Sequence, residues 1–419
     1  MKDAVAEQYE AYPYPPRDPR DEKKRLIAGS PSHVAEINHY VFGGRLDFTR
    51  PFRALIAGGG TGDGAIMLAP QLTDAACPAE IVYLDRSAAA RRIAEARAQA
   101  RGLGNLRFVT GSLLDVQSLG LGVFDYIDCC GVLHHLDEPR DGLKALVGVL
   151  SSRGGMGLMV YGGLGRTGVY PVQTMLRALS ASADTLADRV ASARRLLAQL
   201  PPTNWLRRNS GVADHVTQSD AGVVDLLLHA RDRAYDVPEL AVLVEESGLR
   251  IAGFIEPALY DPLTYVNDPV LRPRLESLNL LERAAFAELL AGNLKTHVVY
   301  VVAVANPVAP PPPDAPSTVP VPREGDFAGW ARDFQPGGAL TTRIGDLTLR
   351  FPLPRLAAAI AARIDGRRTL RDIFVDLPEA QAGRLDWAGF AGQFVQLHAV
   401  LNGLNKLLLA AGPEAPADG

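Results

Sequence analysis

Apolar positions fall into two alternating rhythms along the first two thirds of the chain. Short apolar runs at 53–57, 80–84, 106–109, 123–128 and 155–160 have the length and residue types of buried strands. Between them, stretches at 62–72, 87–101 and 138–150 space their apolar residues three and four apart, as helices packed on one face do. Strand and helix in turn predict an α/β fold, a doubly wound and mostly parallel sheet with helices on both faces. Strands at 251–255 and 296–305, with a helix at 279–291 between them, bring the sheet to seven strands and close this domain, 51–305, near residue 305.

The rhythm changes over about 161–250. A glycine-rich loop, Tyr161 to Pro171, is followed by helical patterns at 172–181 and 183–199, an apolar run from Val223 to Leu228, and a helix entered at Val237 and ended at Gly248. These predict a helical cap inserted into the sheet domain. The stretch 306–322 holds eight prolines, which remove donors and fix the backbone, so it reads as a semi-rigid extended linker. Beyond it, 339–343 and 347–351 flank Ile344-Gly345-Asp346 as a hairpin, and helices are expected at 354–363, 369–376 and 386–409, with Thr369 as an N-cap. This is a small α+β, winged-helix-like domain over 323–411, followed by a disordered tail, 412–419.

Upstream, Tyr12, Pro13, Tyr14, Pro15, Pro16 and Pro19 crowd a segment that cannot be helical. Residues 1–50 are read as a lid over the site, with Asn38 to Phe42 completing it, or as a surface arm whose tyrosines pack on the body. Composition, 47% hydrophobic and 21% charged, is that of a globular chain, and a net charge of −4 gives no electrostatic ground for binding nucleic acid. The N-terminus lacks a secretory pattern and no apolar run approaches the ~20 residues that span a bilayer, so a cytoplasmic protein without a membrane partner is expected. Cys77, Cys129 and Cys130 lack metal or redox spacing and read as structural thiols.

Candidate chemistry gathers where the first strand ends. In Arg53 to Gly64, RALIAGGGTGDG, a strand runs into a glycine turn and then a helix start, where the backbone can approach a ligand and unpaired N–H groups are offered. Asp85 closes the second strand, IVYLD, where a carboxylate can accept both hydroxyls of a ribose. A dinucleotide fingerprint would need glycine at position 63, and Asp63 stands there; a carboxylate at the helix start disfavours a pyrophosphate.

The glycine turn, the segment Phe108 to Asp115 (FVTGSLLD) and Phe124 to His135 (FDYIDCCGVLHH), in this order over about 50–162, resemble the class I S-adenosylmethionine-dependent methyltransferases. The resemblance implies S-adenosylmethionine as cofactor. Gly58, Gly59, Gly60 and Gly62 would bend around its methionine part, Asp85 with Arg86 would meet the ribose, Ser112 and Leu113 the adenine, and Cys130 and Gly131 would face it from the fourth strand. Family members carry an acid two positions before the first glycine, which helps hold the cofactor's amino group; here it is Ile56, and Asp63 is the candidate substitute.

Methyl transfer needs an aligned nucleophile and exclusion of water more than an acid or base. Tyr14, His134, Tyr161 and His229 are the candidate catalytic residues, with Tyr12, His135, Arg166, Tyr170, Arg231 and Asp232 as further substrate-facing groups; for each, a purely structural role is the alternative. Arg166 and Arg231 would meet an anionic group or else form ion pairs, for instance with Asp232. Adjacent His134 and His135 lack the spacing of a helical zinc pair, so no metal is expected. IDGRRTLRDIF in the C-terminal domain resembles peptide-binding PqqD-type domains, which implies a peptide or protein acceptor recruited there. The alternatives are a small-molecule acceptor, a homodimer formed through the cap or C-terminal domain, and a scaffold protein that binds the cofactor without turnover.

Overall fold

Strand β1 (Phe52–Ala57) lies at the middle of the main sheet, with five of its six residues buried. In this computed structural model, which describes residues 4–29, 31–214, 219–325, 327–345 and 347–412, the sheet continues through β2 (Ala79–Asp85), β3 (Leu106–Thr110), β4 (Phe124–Cys130), β5 (Leu150–Gly162), β6 (Ala234–Tyr235), β7 (Leu249–Phe254) and β8 (Thr296–Ala303). Their spatial order is β3-β2-β1-β4-β5-β8-β7, with the two-residue β6 paired to β5. The sheet therefore has eight strands where the apolar runs predict seven; a two-residue strand has no periodicity to read. β1, β2, β3, β4 and β5 run parallel, and β5 pairs with β8 antiparallel.

The chain divides into two compact units. The first holds residues up to Ser32, 48–251 and 288–304. The sheet sits here, and so do the helices of the cap, Val169–Leu179, Leu186–Gln199 and Asp220–Leu227, which share an apolar cluster built on Val172, Leu176, Val190, Leu206 and Val223. Part of the N-terminal segment is helical after all, since Ala4–Ala11 precedes the prolines. Among the described residues no helix is long and apolar enough to cross a membrane.

The second unit is assembled from 33–47, 252–287 and 305 onward. Its core packs Phe390, Phe394, Leu397 and Leu401 of the helix Trp387–Gly403 against Ile360, Leu370 and Ile373. β10 (Ala339–Ile344) and β11 (Leu347–Pro352) form the hairpin, and Thr369 caps the helix Leu370–Val375 in a reciprocal capping box with Asp372. Three expectations are corrected here. The proline-rich stretch is not wholly a linker, because Thr318–Pro322 forms β9, antiparallel to β12 (Leu407–Ala411). A two-stranded ladder leaves one edge of each strand unpaired, and there proline's missing donor does no harm. The final helix ends at Gly403 rather than 409, since Leu407–Ala411 is needed as that partner strand. Asn38 to Phe42 belongs to this unit instead of a lid: His39 Nδ1 hydrogen-bonds the Leu409 backbone, 3.0 Å from its N–H. The expected tail lies outside the described residues, save Gly412.

Candidate active site

The carboxyl ends of β1, β2, β4 and β5 open into a cavity of about 890 Å³, within the size range of small-molecule sites. Its wall at β1 is the glycine turn. Gly58 is held at φ +72°, and a Cβ there would stand 2.5 Å from Val132 Cγ2, so only glycine fits. Gly59 and Gly60 line the cavity as well. Gly62 does not: at φ +100° it starts the helix Asp63–Asp74, and a Cβ would meet that of Ala94 at 2.8 Å. Its place in the motif serves helix packing, which corrects its assignment to the cofactor.

Asp85 ends β2 at the cavity, and its two oxygens accept the backbone N–H groups of Gly60 and Ser87, each at 2.8 Å. Burial raises its pKa while these amides pull it back. Arg86, Ser112, Leu113, Cys130 and Gly131 also line the cavity, and Ser112 fixes its own loop by accepting from Leu114 N–H at 3.2 Å. A carboxylate positioned by amides, next to the apolar wall of Leu113, is the donor and acceptor set an adenosine requires, so these residues fit S-adenosylmethionine.

The N-terminal arm forms another wall with Tyr14, Pro15, Arg17, Ile27, Ala28 and Gly29. It is clasped ionically. Arg17 binds Asp63 at 2.6 Å; fully buried Arg97 joins Asp63 to Glu22, both at 2.7 Å; and Arg101 also reaches Glu22. Burial pushes the Asp63 pKa up, but the hydrogen bonds and charges of Arg17 and Arg97 outweigh it and hold the group below its usual range. Asp63 is thus taken up by the arm, which corrects its assignment to the cofactor's amino group, and its neutralised charge no longer bears on a pyrophosphate.

Across the cavity lies a cluster that motif reading misses in its main members. Asp225, in the cap helix Asp220–Leu227 and 5% exposed, accepts Tyr9 Oη at 3.2 Å and Tyr161 Oη at 3.1 Å. His229 Nδ1 accepts the Arg231 N–H at 3.0 Å, so its Nε2 carries the hydrogen and donates to Tyr9 Oη at 3.1 Å. His135 stacks on His229 with centroids 3.7 Å apart and presents Nδ1 to the Arg231 carbonyl at 2.8 Å. Burial lowers both imidazoles, His135 to about 4 and His229 to about 3, so both stay neutral near pH 7. Burial also raises Asp225 to about 7, against the two tyrosine hydrogen bonds.

Tyr14 and Tyr161 line the cavity, whereas His134 and His229 do not. His134 is fully buried behind Tyr161, rings 3.9 Å apart, and neither of its nitrogens has a hydrogen-bond partner among the described residues. His134 is thus set behind the wall, and His229 reaches the cavity's edge only through its hydrogen bond to Tyr9. Tyr12 packs into the cap's apolar cluster. Arg166, 4% exposed, pairs with Asp232 at 2.9 Å and covers the Tyr161 ring at 3.7 Å, with Tyr170 farther off at 5.8 Å. Arg231 lines the cavity and pairs with Asp137. His135, Asp225 and His229 bring one ligand atom each within 4.8 Å of one another, a third-ligand grouping the sequence spacing does not reveal. The hydrogen bonds described above already engage both nitrogens of His229 and both oxygens of Asp225, so a metal ion here would have to displace them.

The signal for Asp225 is an acid inside the apolar run VVDLLLH, which a cap core would not need. Tyr9 lies in a segment with no pattern of its own.

Comparison with known proteins agrees with this geometry. A family model described as a methyltransferase domain matches residues 55–156. An uncharacterised protein of Synechococcus is 33% identical over 297 residues, 68% of this chain and 68% of its own. The structure of PKMT2 from Rickettsia typhi in complex with AdoHcy has a TM-score of 0.63 at 15% identity, covering 91% of this chain and 75% of that one. A second structure of PKMT2 gives the same score at 14% identity. With the glycine turn, Asp85 and the sheet order in place, the chain belongs to the class I S-adenosylmethionine-dependent methyltransferases.

Proposed function

We propose that the methyl acceptor is an amine, held in its cationic form and then freed of a proton at Asp225. The observation that carries this reading is the buried carboxylate in the cavity wall, backed by Tyr9 and Tyr161 and flanked by neutral imidazole rings. A carboxylate among aromatic faces attracts an alkylammonium group, by charge and by the ring quadrupoles. S-adenosylmethionine, when bound, would supply a sulfonium methyl group whose carbon a nitrogen lone pair can attack, with the thioether S-adenosylhomocysteine leaving. An ammonium has no lone pair, so it must first lose a proton. Asp225, raised to about 7, is matched to accept that proton near neutral pH. Tyr9 and Tyr161 keep the carboxylate oriented, and the arm at Tyr14 to Gly29 excludes water from the cavity.

As to the carrier of the amine, we read a peptide or protein side chain, recruited by the second unit. Support comes from a shallow groove on the helix Trp387–Gly403, lined by Trp387, Ala391 and Val395, of a size to seat one or two side chains. A small-molecule amine is the alternative, favoured by the deep burial of Asp225. The three cysteines form no disulfide among the described residues, in keeping with a reducing, cytoplasmic setting.

Transfer of labelled methyl from S-adenosylmethionine to a peptide library and to a panel of free amines tests both points. The reading predicts N-methyl products, lost in Asp225→Asn, and for a peptide acceptor a raised KM in Val395→Asp. Products methylated on oxygen, sulfur or carbon, or an Asp225→Asn enzyme as fast as wild type, refute the amine.

A further inference from the structure

The sulfonium cofactor of this family ends in an amino acid, and its ammonium needs an anionic partner once it is out of water. We infer that Asp128 of β4 is that partner in this chain, taking the place of the acid missing at Ile56 of β1.

Three observations bear on it. First, Ile56 and Asp128 are register partners on adjacent parallel strands. Paired residues of neighbouring strands point to the same face, about 4.8 Å apart, and both of these line the cavity. Moving a carboxylate from one to the other shifts it by a single strand spacing. Second, the strand order β3-β2-β1-β4 sets the course of the ligand. Ser112 and Leu113 follow β3, Asp85 ends β2 and the glycine turn follows β1. An elongated molecule with adenine at the first and ribose at the second carries its far end toward β4, where Asp128 stands. Third, the other acids of the wall are engaged or distant. Asp63 is held by Arg17 and Arg97, and Asp85 lies at the ribose position. Asp225 belongs to the tyrosine cluster. Asp115, Asp137, Glu138 and Asp141 are exposed at the rim.

Asp128 is itself 1% exposed, set between the buried Ile127 and Cys129 of β4, and Ser32 of the arm donates to its Oδ2. A structural acid needs no opening to a cavity; this one has it. Arg17, tied to Asp63 just past the glycine turn, lines the same cavity and offers a guanidinium to the carboxylate end of the zwitterion.

The test is calorimetry on the full chain with two ligands. S-adenosylhomocysteine keeps the ammonium, and 5′-methylthioadenosine has the same nucleoside and sulfur without the amino-acid end. Asp128→Asn retains the shape of the side chain and an acceptor for Ser32. It is expected to weaken S-adenosylhomocysteine about tenfold or more, as loss of a charged hydrogen bond does, with 5′-methylthioadenosine held within about twofold. If this variant does not fold, Asp128→Leu, matched to the apolar strand, gives the same comparison. An unchanged affinity for S-adenosylhomocysteine, or an equal loss for both ligands, overturns the assignment.

Discussion

Replacing Asp225 by asparagine should stabilise the protein at alkaline pH while removing its activity, and the size of the effect follows from burial. The carboxyl is raised from 3.8 to about 7 in the folded chain. A group whose folded pKa is raised binds its proton more tightly when folded, so between the two values the native state carries more protons than the unfolded one. Its contribution is therefore fully present below about pH 4 and is lost as pH rises through about 7, above which it is a constant penalty. At about 1.4 kcal/mol per tenfold change in proton affinity this gives roughly 4 kcal/mol for the whole range, and more than half of it falls between pH 5 and pH 8. These are upper figures, since the effective dielectric around a buried group in a protein exceeds that of a dry interior. Asparagine keeps an acceptor for one tyrosine and has no charge to bury. Urea unfolding of both proteins at pH 5 and pH 8 measures the difference. The variant's advantage should grow by one to a few kcal/mol over that interval, with methyl transfer abolished at both pH values. A stability difference that is the same at pH 5 and pH 8, or that shrinks, would show that Asp225 is not a buried, destabilised carboxylate and would remove the basis for its role as proton acceptor.

Asp85→Ala should weaken S-adenosylhomocysteine about 100-fold in calorimetry, because two charge-assisted hydrogen bonds to a ribose are lost. Arg97→Met leaves Glu22 buried without its main partner and should cost about 3–5 kcal/mol in urea unfolding; Arg17→Ala, at a partly exposed pair, should cost about 1 kcal/mol and expose the arm to proteolysis. Gly62→Ala should lower stability by about 2 kcal/mol through its positive φ and the Ala94 contact, whereas Gly58→Ala should also abolish cofactor binding. Thr369→Ala removes a capping box in the second unit and should cost about 1 kcal/mol with the affinity for S-adenosylhomocysteine intact.

What the sequence makes legible is what adjacent residues decide. The strand at 53–57, the turn that follows it and Asp85 at the end of its own strand each express a local rhythm, and their arrangement follows from the parallel order. Tyr9 and Asp128 express none, and Asp225 shows only as an acid inside an apolar run, with nothing to say what it faces. Tyr9 and Asp225 are 216 residues apart and meet through the docking of a helix whose own pattern is unremarkable. Ile56 shows in the sequence as a gap, but its substitute sits on a strand 72 residues later, visible only once register is known. The same holds for Asp63. Its position suggests a ligand contact, and its two arginine partners come from an arm and a helix that no motif connects. The prolines at 306–322 misled in another way, because they forbid helix and central strand but leave an edge strand open.

The composition of the second unit has a consequence for how the protein is made. Its pieces at 33–47, 252–287 and 305 onward are separated by the stretches that form the first unit, and the hydrogen bonds of His39 to Leu409 span 370 residues. A ribosome releases the first of these pieces long before the last, so the contact of His39 with Leu409 cannot form until β12 emerges. Contacts of such sequence separation form late, after the entropy of closing the loop has been met. Strand β12 thus completes a unit begun near residue 33, and a chain cut short at the proline-rich stretch would keep the packing of Tyr40 on Gly253 but lose the contact of His39 with Leu409.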